Sequence, residues 1–253
     1  YRTGFDRNLW LWEQYSPEYT YLLVADVARG DGADFSVFHI IKLETMEIIG
    51  EYRGKPNLEE FATILDTTGR EFGSCLMVVE NNSLGISILE KLQGREYPNL
   101  YFSVKGTHEY VDQVQASAMS NSIAGFTTSS KTRPLIVAKM EEFIRNKLIT
   151  IYSSRLVDEF KTFIWNNNKA EAMRSYHDDL VMALAIGCWV RDTALQTNQR
   201  DLEYKKAMMG SMMLKSKNFR TPNPGSKNIQ QGLNEEQRRI KNQYSDFVWL
   251  LKG

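Results

Sequence analysis

The sequence predicts an α/β fold, a central mixed sheet of the five-stranded type flanked by helices. Three observations carry that expectation: short, nearly continuous apolar runs, helical spacings that alternate with them from Leu58 onwards, and a helical connection between two of the apolar runs. Runs of the first kind mark strands buried on both faces. A strand–helix–strand connection returns the second strand parallel to the first by a right-handed crossover. With 253 residues, 42% hydrophobic and 25% charged, the chain has material for one sizeable core with appendages.

Residues 1–18 hold Trp10, Trp12, Tyr15 and Pro17 without periodicity and read as a linker whose aromatic side chains pack on a neighbour. Regular structure is expected from Tyr19, where TYLLVAD is an apolar run closed by a carboxylate. ARGDGAD, with its glycines and aspartates, is turn chemistry. DFSVFHIIKL and MEIIGEY, separated by Glu44-Thr45, complete an antiparallel meander of three strands. Leu58, Phe61, Ala62, Leu65 and Phe72 then fall at helical spacing, and CLMVV is a further buried strand that ends in Glu80. A short helix over Leu84–Leu92, opened by the capping residues Asn81 and Asn82, and a strand over Tyr101–Val104 follow. Three strands, helix, strand, helix, strand is the order of the RNase H-like fold.

The stretch from Lys105 to Thr132, rich in Gly, Ser, Thr and Asn, reads as a long mobile excursion. Helices are expected over Pro134–Asn146, Ser154–Ile164 and Asp178–Thr193, with an edge strand at Ile149–Tyr152. The folded domain is therefore expected over residues 19–195, followed by a basic, mostly flexible tail over 196–253 with four clustered methionines and Pro222, Pro224 and Gly225.

The formal net charge is +0, but the halves differ: 20 Lys and Arg face 26 Asp and Glu up to Leu195, and 11 face 5 beyond it. An acidic body suits cations and a basic tail suits an anionic partner. Cys75 and Cys188 lie far apart, without metal-ligand spacing or a disulfide framework, which points to a reducing compartment. No apolar stretch approaches the ~20 residues that span a bilayer, and no signal peptide opens the chain, so neither membrane insertion nor secretion is expected. The chain begins at Tyr1 without an initiator Met and reads as a fragment of something longer.

Asp26 and Glu80 each stand at the carboxyl end of an apolar strand. On adjacent parallel strands both carboxylates emerge at one edge, where two anions repel until a proton or a cation relieves them. The Asp178-Asp179 pair at the start of the last helix supplies a third contribution, and Asp34 reaches the same rim from the second strand. Oxygen ligands without a His or Cys set point to Mg²⁺ or Mn²⁺, in the expected arrangement two ions. Such a pair, about 3.5–4 Å apart, suits phosphodiester hydrolysis by holding the attacking water and the leaving 3′-oxygen in line. Asp26, Glu80 and Asp179 are thus the candidate catalytic residues, with Asp178 and Asp34 as further metal ligands and His177 as a candidate for proton transfer to the leaving group. Plainer roles stand beside these: Asp178 as a helix N-cap, Asp34 as a turn residue, His177 as an ordinary loop residue. Arg29, Lys105, Lys131, Arg133, Lys169 and Arg174, in loops expected near the site, are the candidate phosphate contacts.

Taken together, VADVARGDGADFS, VVENNSLG and SYHDDLVMALAI resemble the nuclease domain of the large terminase subunit of tailed double-stranded DNA bacteriophages, of the T-even-like kind. The likeness covers Tyr19 to Leu195, and its motifs are individually short but jointly specific. It implies an RNase H-like endonuclease that cuts concatemeric viral DNA in headful packaging, with the family's three acidic positions at Asp26, Glu80 and one of Asp178 or Asp179. It further implies double-stranded DNA, an ATPase motor domain, the procapsid portal and the small terminase subunit as partners, in the host cytoplasm at the procapsid. No GxxxxGK[ST] phosphate loop occurs in this chain, so motor activity is not expected in it, and residues 1–18 would be linker from the motor domain. Two other functions fit the same carboxylates. One is an RNase H-like junction resolvase or recombinase nuclease; the other is a non-catalytic DNA-translocation or docking module whose carboxylates form structural pairs.

Overall fold

The meander expected from the three apolar runs is present and is flanked by more strands than expected. The computed structural model describes residues 2–4, 7–28, 34–105, 110–111, 113–166 and 169–191, all within the unit Tyr1–Leu202. The tail expected over 196–253 lies outside the described residues, as does Arg29.

Two short strands, β1 (Arg2–Gly4) and β2 (Leu9–Leu11), precede β3 (Tyr21–Asp26), β4 (Ser36–Lys42) and β5 (Glu47–Gly54). Helix α1 (Leu58–Glu71) opens with a capping box, in which Asn57 accepts from the Glu60 amide while the Glu60 side chain accepts from the Asn57 amide. Strand β6 (Leu76–Val79), helix α2 (Ser83–Gly94) and strand β7 (Phe102–Val104) follow. Then come β8 (Tyr110–Val111), α3 (Gln113–Ala118), β9 (Ser122–Ala124), α4 (Thr132–Arg145), β10 (Thr150–Ile151), α5 (Ser154–Thr162), β11 (Phe163–Asn166) and β12 (Lys169–Ala172). A last helix, α6, covers residues 179–191.

The main sheet has the order β1-β2-β5-β4-β3-β6, and β10 also pairs with β5, making seven strands. It is mixed: β3, β4 and β5 form the antiparallel meander, while β6 runs parallel to β3 with Ala25 opposite Val79. Three features correct the sequence reading. Regular structure begins before Tyr19, because Leu9 buries its side chain and β2 finds the open edge of β5 over Gly50–Tyr52. Strand β7 meets β6 only near Leu100, and its own ladder is with β8 and β9 in a separate three-stranded sheet. The stretch Lys105–Thr132, expected as a structureless excursion, contributes β8, α3 and β9, with Val111 and Ala116 buried.

Alternation along the strands divides the core in two. Leu22, Val24, Ile41, Leu76 and Val78 face α4, α5 and α6, and Leu23, Ala25, Phe38, Ile40, Met77 and Val79 face α1 and α2. Helix α6 is apolar on every side, as a helix enclosed by its neighbours must be: all residues from Leu180 to Ile186 are buried. Each such Leu or Ile contributes about 1.5–3 kcal/mol by burial. That docking brings the first turn of α6 near the carboxyl end of β3, where the charge of Asp179 acts on Asp26.

Candidate active site

Asp26 ends β3, and Glu80 follows the last residue of β6. The parallel register continues past Ala25 and Val79, because the Glu80 amide donates to the Ala25 carbonyl at 2.9 Å. The two carboxyls therefore lie side by side, within hydrogen-bonding reach. Burial pushes the Asp26 carboxyl well above the usual range, and the charge of Glu80, their shared hydrogen bond and the charge of Asp179 push the same way. The Val27 amide, donating to Asp26 Oδ1 at 2.7 Å, opposes this. Asn82 serves both sides of the strand end: its Oδ1 accepts from the Leu84 and Gly85 amides as the cap of α2, and its Nδ2 donates to Glu80 Oε2 at 3.3 Å. Asn81, expected as a second cap, instead donates to the Ala124 carbonyl. Gly85 is required here by close approach, since a Cβ on it would stand 1.7 Å from the Glu80 carbonyl oxygen.

Asp179, the first residue of α6, receives the Phe35 amide on Oδ2 at 3.0 Å. His177 turns Nδ1 towards Asp34 Oδ1 (3.7 Å) and Asp179 Oδ2 (3.8 Å), and the three side chains offer ligand atoms within 4.8 Å of one another. Burial pushes the Asp179 carboxyl up to about 6 against the Phe35 amide; Asp34 and Asp178 add to the rise and His177 opposes it. The site thus has two parts, the Asp26–Glu80 pair at the sheet edge and the Asp34–His177–Asp179 group beside it, coupled through the repulsion between Asp26 and Asp179. Buried carboxylates that raise one another's affinity for protons fit a cation: a hard divalent ion would replace the missing positive charge with the oxygen donors it prefers.

Asp178 points elsewhere. Its carbonyl accepts the first helical bond, from the Met182 amide, but its side chain pairs with Arg133 at 2.5 Å. The side-chain capping expected of it falls to Glu159 of α5, whose Oε2 accepts from the Leu180 and Val181 amides at 2.9 and 3.3 Å. Sequence reading missed Glu159, although one signal was available: it stands three residues after Leu156, on the buried face of its helix.

The cations expected in loops are placed variously. Lys105 and Lys131 are exposed, Arg174 lies in the exposed turn after β12, and Lys169 lies within β12, paired with Glu171. Arg133 belongs to the first turn of α4 rather than to a loop, and it also donates to the Ala170 carbonyl. Two cations that sequence reading left out, Arg53 and Lys55, stand over the ring of Phe35, whose amide donates to Asp179, at 4.1 and 4.6 Å. That ring also meets His177 edge to face.

No protein-family model matches the sequence. Solved structures are similar to it at low identity. The large terminase nuclease from thermophilic phage G20c, crystallised with bound magnesium, shares 19% identity and a TM-score of 0.57 over 74% of this chain and 88% of its own. A zinc-bound crystal structure of the same nuclease gives a TM-score of 0.51. The large terminase nuclease domain of Thermus phage P74-26 shares 19% identity and a TM-score of 0.53, over 70% of this chain and 83% of its own. Sheet order, flanking helices and these similarities together give the described domain the fold of the large terminase nucleases.

Proposed function

We propose that this chain is a divalent-metal-dependent endodeoxyribonuclease of RNase H-like fold that cuts double-stranded viral DNA during genome packaging. The observation that carries the reading is the pairing of Asp26 with Glu80 at adjacent parallel strand ends, with Asp179 near enough to resist Asp26 ionisation. The similarity to the phage nucleases supports it, as does the presence of bound metal in crystals of one of them.

In this reading Asp26, Glu80 and Asp179 hold Mg²⁺ or Mn²⁺, two ions in all, and Asp34 and His177 complete the side nearest Asp179. When bound, the ions supply the Lewis acidity that activates water and offsets charge on the phosphate oxygens. The residues themselves bind and orient. Asn82 steadies the Glu80 carboxylate, the Phe35 amide fixes the Asp179 carboxylate, and His177 at the rim carries the proton that the departing 3′-oxygen needs. Lys105, Lys131, Lys169 and Arg174 meet backbone phosphates, joined by Arg53 and Lys55. Asp178 acts by restraining Arg133 and is the weaker claimant to the metal.

Supercoiled plasmid incubated with Mn²⁺ tests the proposal. Wild-type protein should nick and linearise it with little sequence preference, and Asp26→Asn, Glu80→Gln and Asp179→Asn should each reduce cleavage at least ~10³-fold while remaining folded. Near wild-type cleavage by purified Asp26→Asn would sink the reading. A strong preference for four-way junctions over plasmid would favour a resolvase.

A further inference from the structure

We propose that Glu159 is a positioning residue for the metal-binding carboxylates, holding the first turn of α6 so that Asp179 stays in reach of Asp26 and Glu80. The inference rests on the nuclease reading. Glu159 comes from α5, is 5% exposed, and grips the two amides that follow Asp179 in the chain. The carbonyl of Leu180 faces His39 Nε2 at 2.9 Å, so both polar groups of the residue next to Asp179 are held by buried side chains.

A second set of contacts closes a circuit. The other carboxylate oxygen of Glu159 has no hydrogen-bond partner and faces Arg53 Nη2 at 3.8 Å. Arg53 lies on the Phe35 ring at 4.1 Å, and the Phe35 amide donates to Asp179 Oδ2. Glu159 thus reaches Asp179 by two routes, through the helix backbone and through Arg53 and Phe35. Helix stability alone does not call for this arrangement. Asp178 stands at the cap position and is suited to the task, whereas burying a carboxyl group costs desolvation. What Glu159 adds is a fixed link between α5, the sheet and the turn that carries Asp179. Groups that orient metal ligands typically affect metal affinity about 10–100-fold.

The test is Mn²⁺ binding to the full chain without DNA, followed by the free-ion electron paramagnetic resonance signal, beside plasmid cleavage kinetics and the thermal midpoint. Glu159→Ala should weaken Mn²⁺ binding about ten-fold or more and lower kcat with the KM for DNA unchanged. Glu159→Gln keeps an acceptor oxygen of the same reach and should retain most of both. Wild-type Mn²⁺ affinity and kcat in folded Glu159→Ala, with only the thermal midpoint reduced, would overturn the proposal, as would a folded Glu159→Gln as impaired as the alanine variant. If Glu159→Ala does not fold, Arg53→Met carries the test: it should weaken Mn²⁺ binding several-fold, and unchanged affinity overturns the proposal. Asp26→Asn separates the two levels. If it binds Mn²⁺ and cleaves like wild type, the nuclease reading falls and this one with it; if it is inactive while Glu159→Ala is unaltered, only the role of Glu159 falls.

Discussion

Burial makes Asp179 a group that opposes folding once it ionises. Its carboxyl is pushed from 3.8 up to about 6, so between those values the folded chain holds a proton that the unfolded chain has released. Stability therefore falls as pH rises through that window, and the full cost, ~3 kcal/mol at ~1.4 kcal/mol per unit, persists above pH 6. Asp179→Asn should raise the metal-free thermal midpoint at pH 7 to 8 and leave it nearly unchanged at pH 4; equal effects at both would refute the account. That Asp26 and Glu80 come together at one sheet edge was legible because each closes an apolar run and a helical crossover makes those two strands parallel. Glu159 was not, because its partners are backbone amides 21 and 22 residues away, and amides leave no mark in a sequence. The turn of Asp178 towards Arg133 was hidden because that side chain lies 45 residues away, at a distance no local spacing marks.

Among the elements, periodicity located β3 to β6 and helices α1, α2, α4, α5 and α6, since each repeats one kind of burial over several residues. It failed where pairing rather than pattern makes the element. Strand β2 is three residues long and exists because it pairs with the outer edge of β5, the edge that β10, expected over Ile149–Tyr152, also takes. Strands β8 and β9 lie in a polar stretch and are held by β7. The N-terminus of α2 is the least forgiving junction near the site. In Gly85→Ala the added carbon would meet backbone rather than a movable side chain, so α2 must shift and take the Asn82 contact with Glu80 along. A loss of ~1–3 kcal/mol in stability and a fall in kcat of at least ~10-fold are expected. Gly94→Ala at the far end of the same helix, where nothing lies within 4 Å, is the control and should be neutral or slightly stabilising.

For the whole molecule, the sheet and its two helical layers, among the described residues, run to residue 191. A chain ending after Leu195 should keep a cooperative thermal transition and metal-dependent cleavage. Global unfolding on truncation would show that residues 196–253 belong to the core. The opposite cut has a different consequence, which follows from where α6 stands in the chain. A polypeptide made from its amino end acquires Asp26 and Glu80 some hundred residues before Asp179, and the helix bearing Asp179 needs the sheet, α4 and α5 to bury it. Until that helix docks, an unfinished or broken chain has two acids and no third. In the proposed nuclease the capacity to cut would then arrive only when α6 docks, so that a copy broken off before that helix is harmless to the DNA around it.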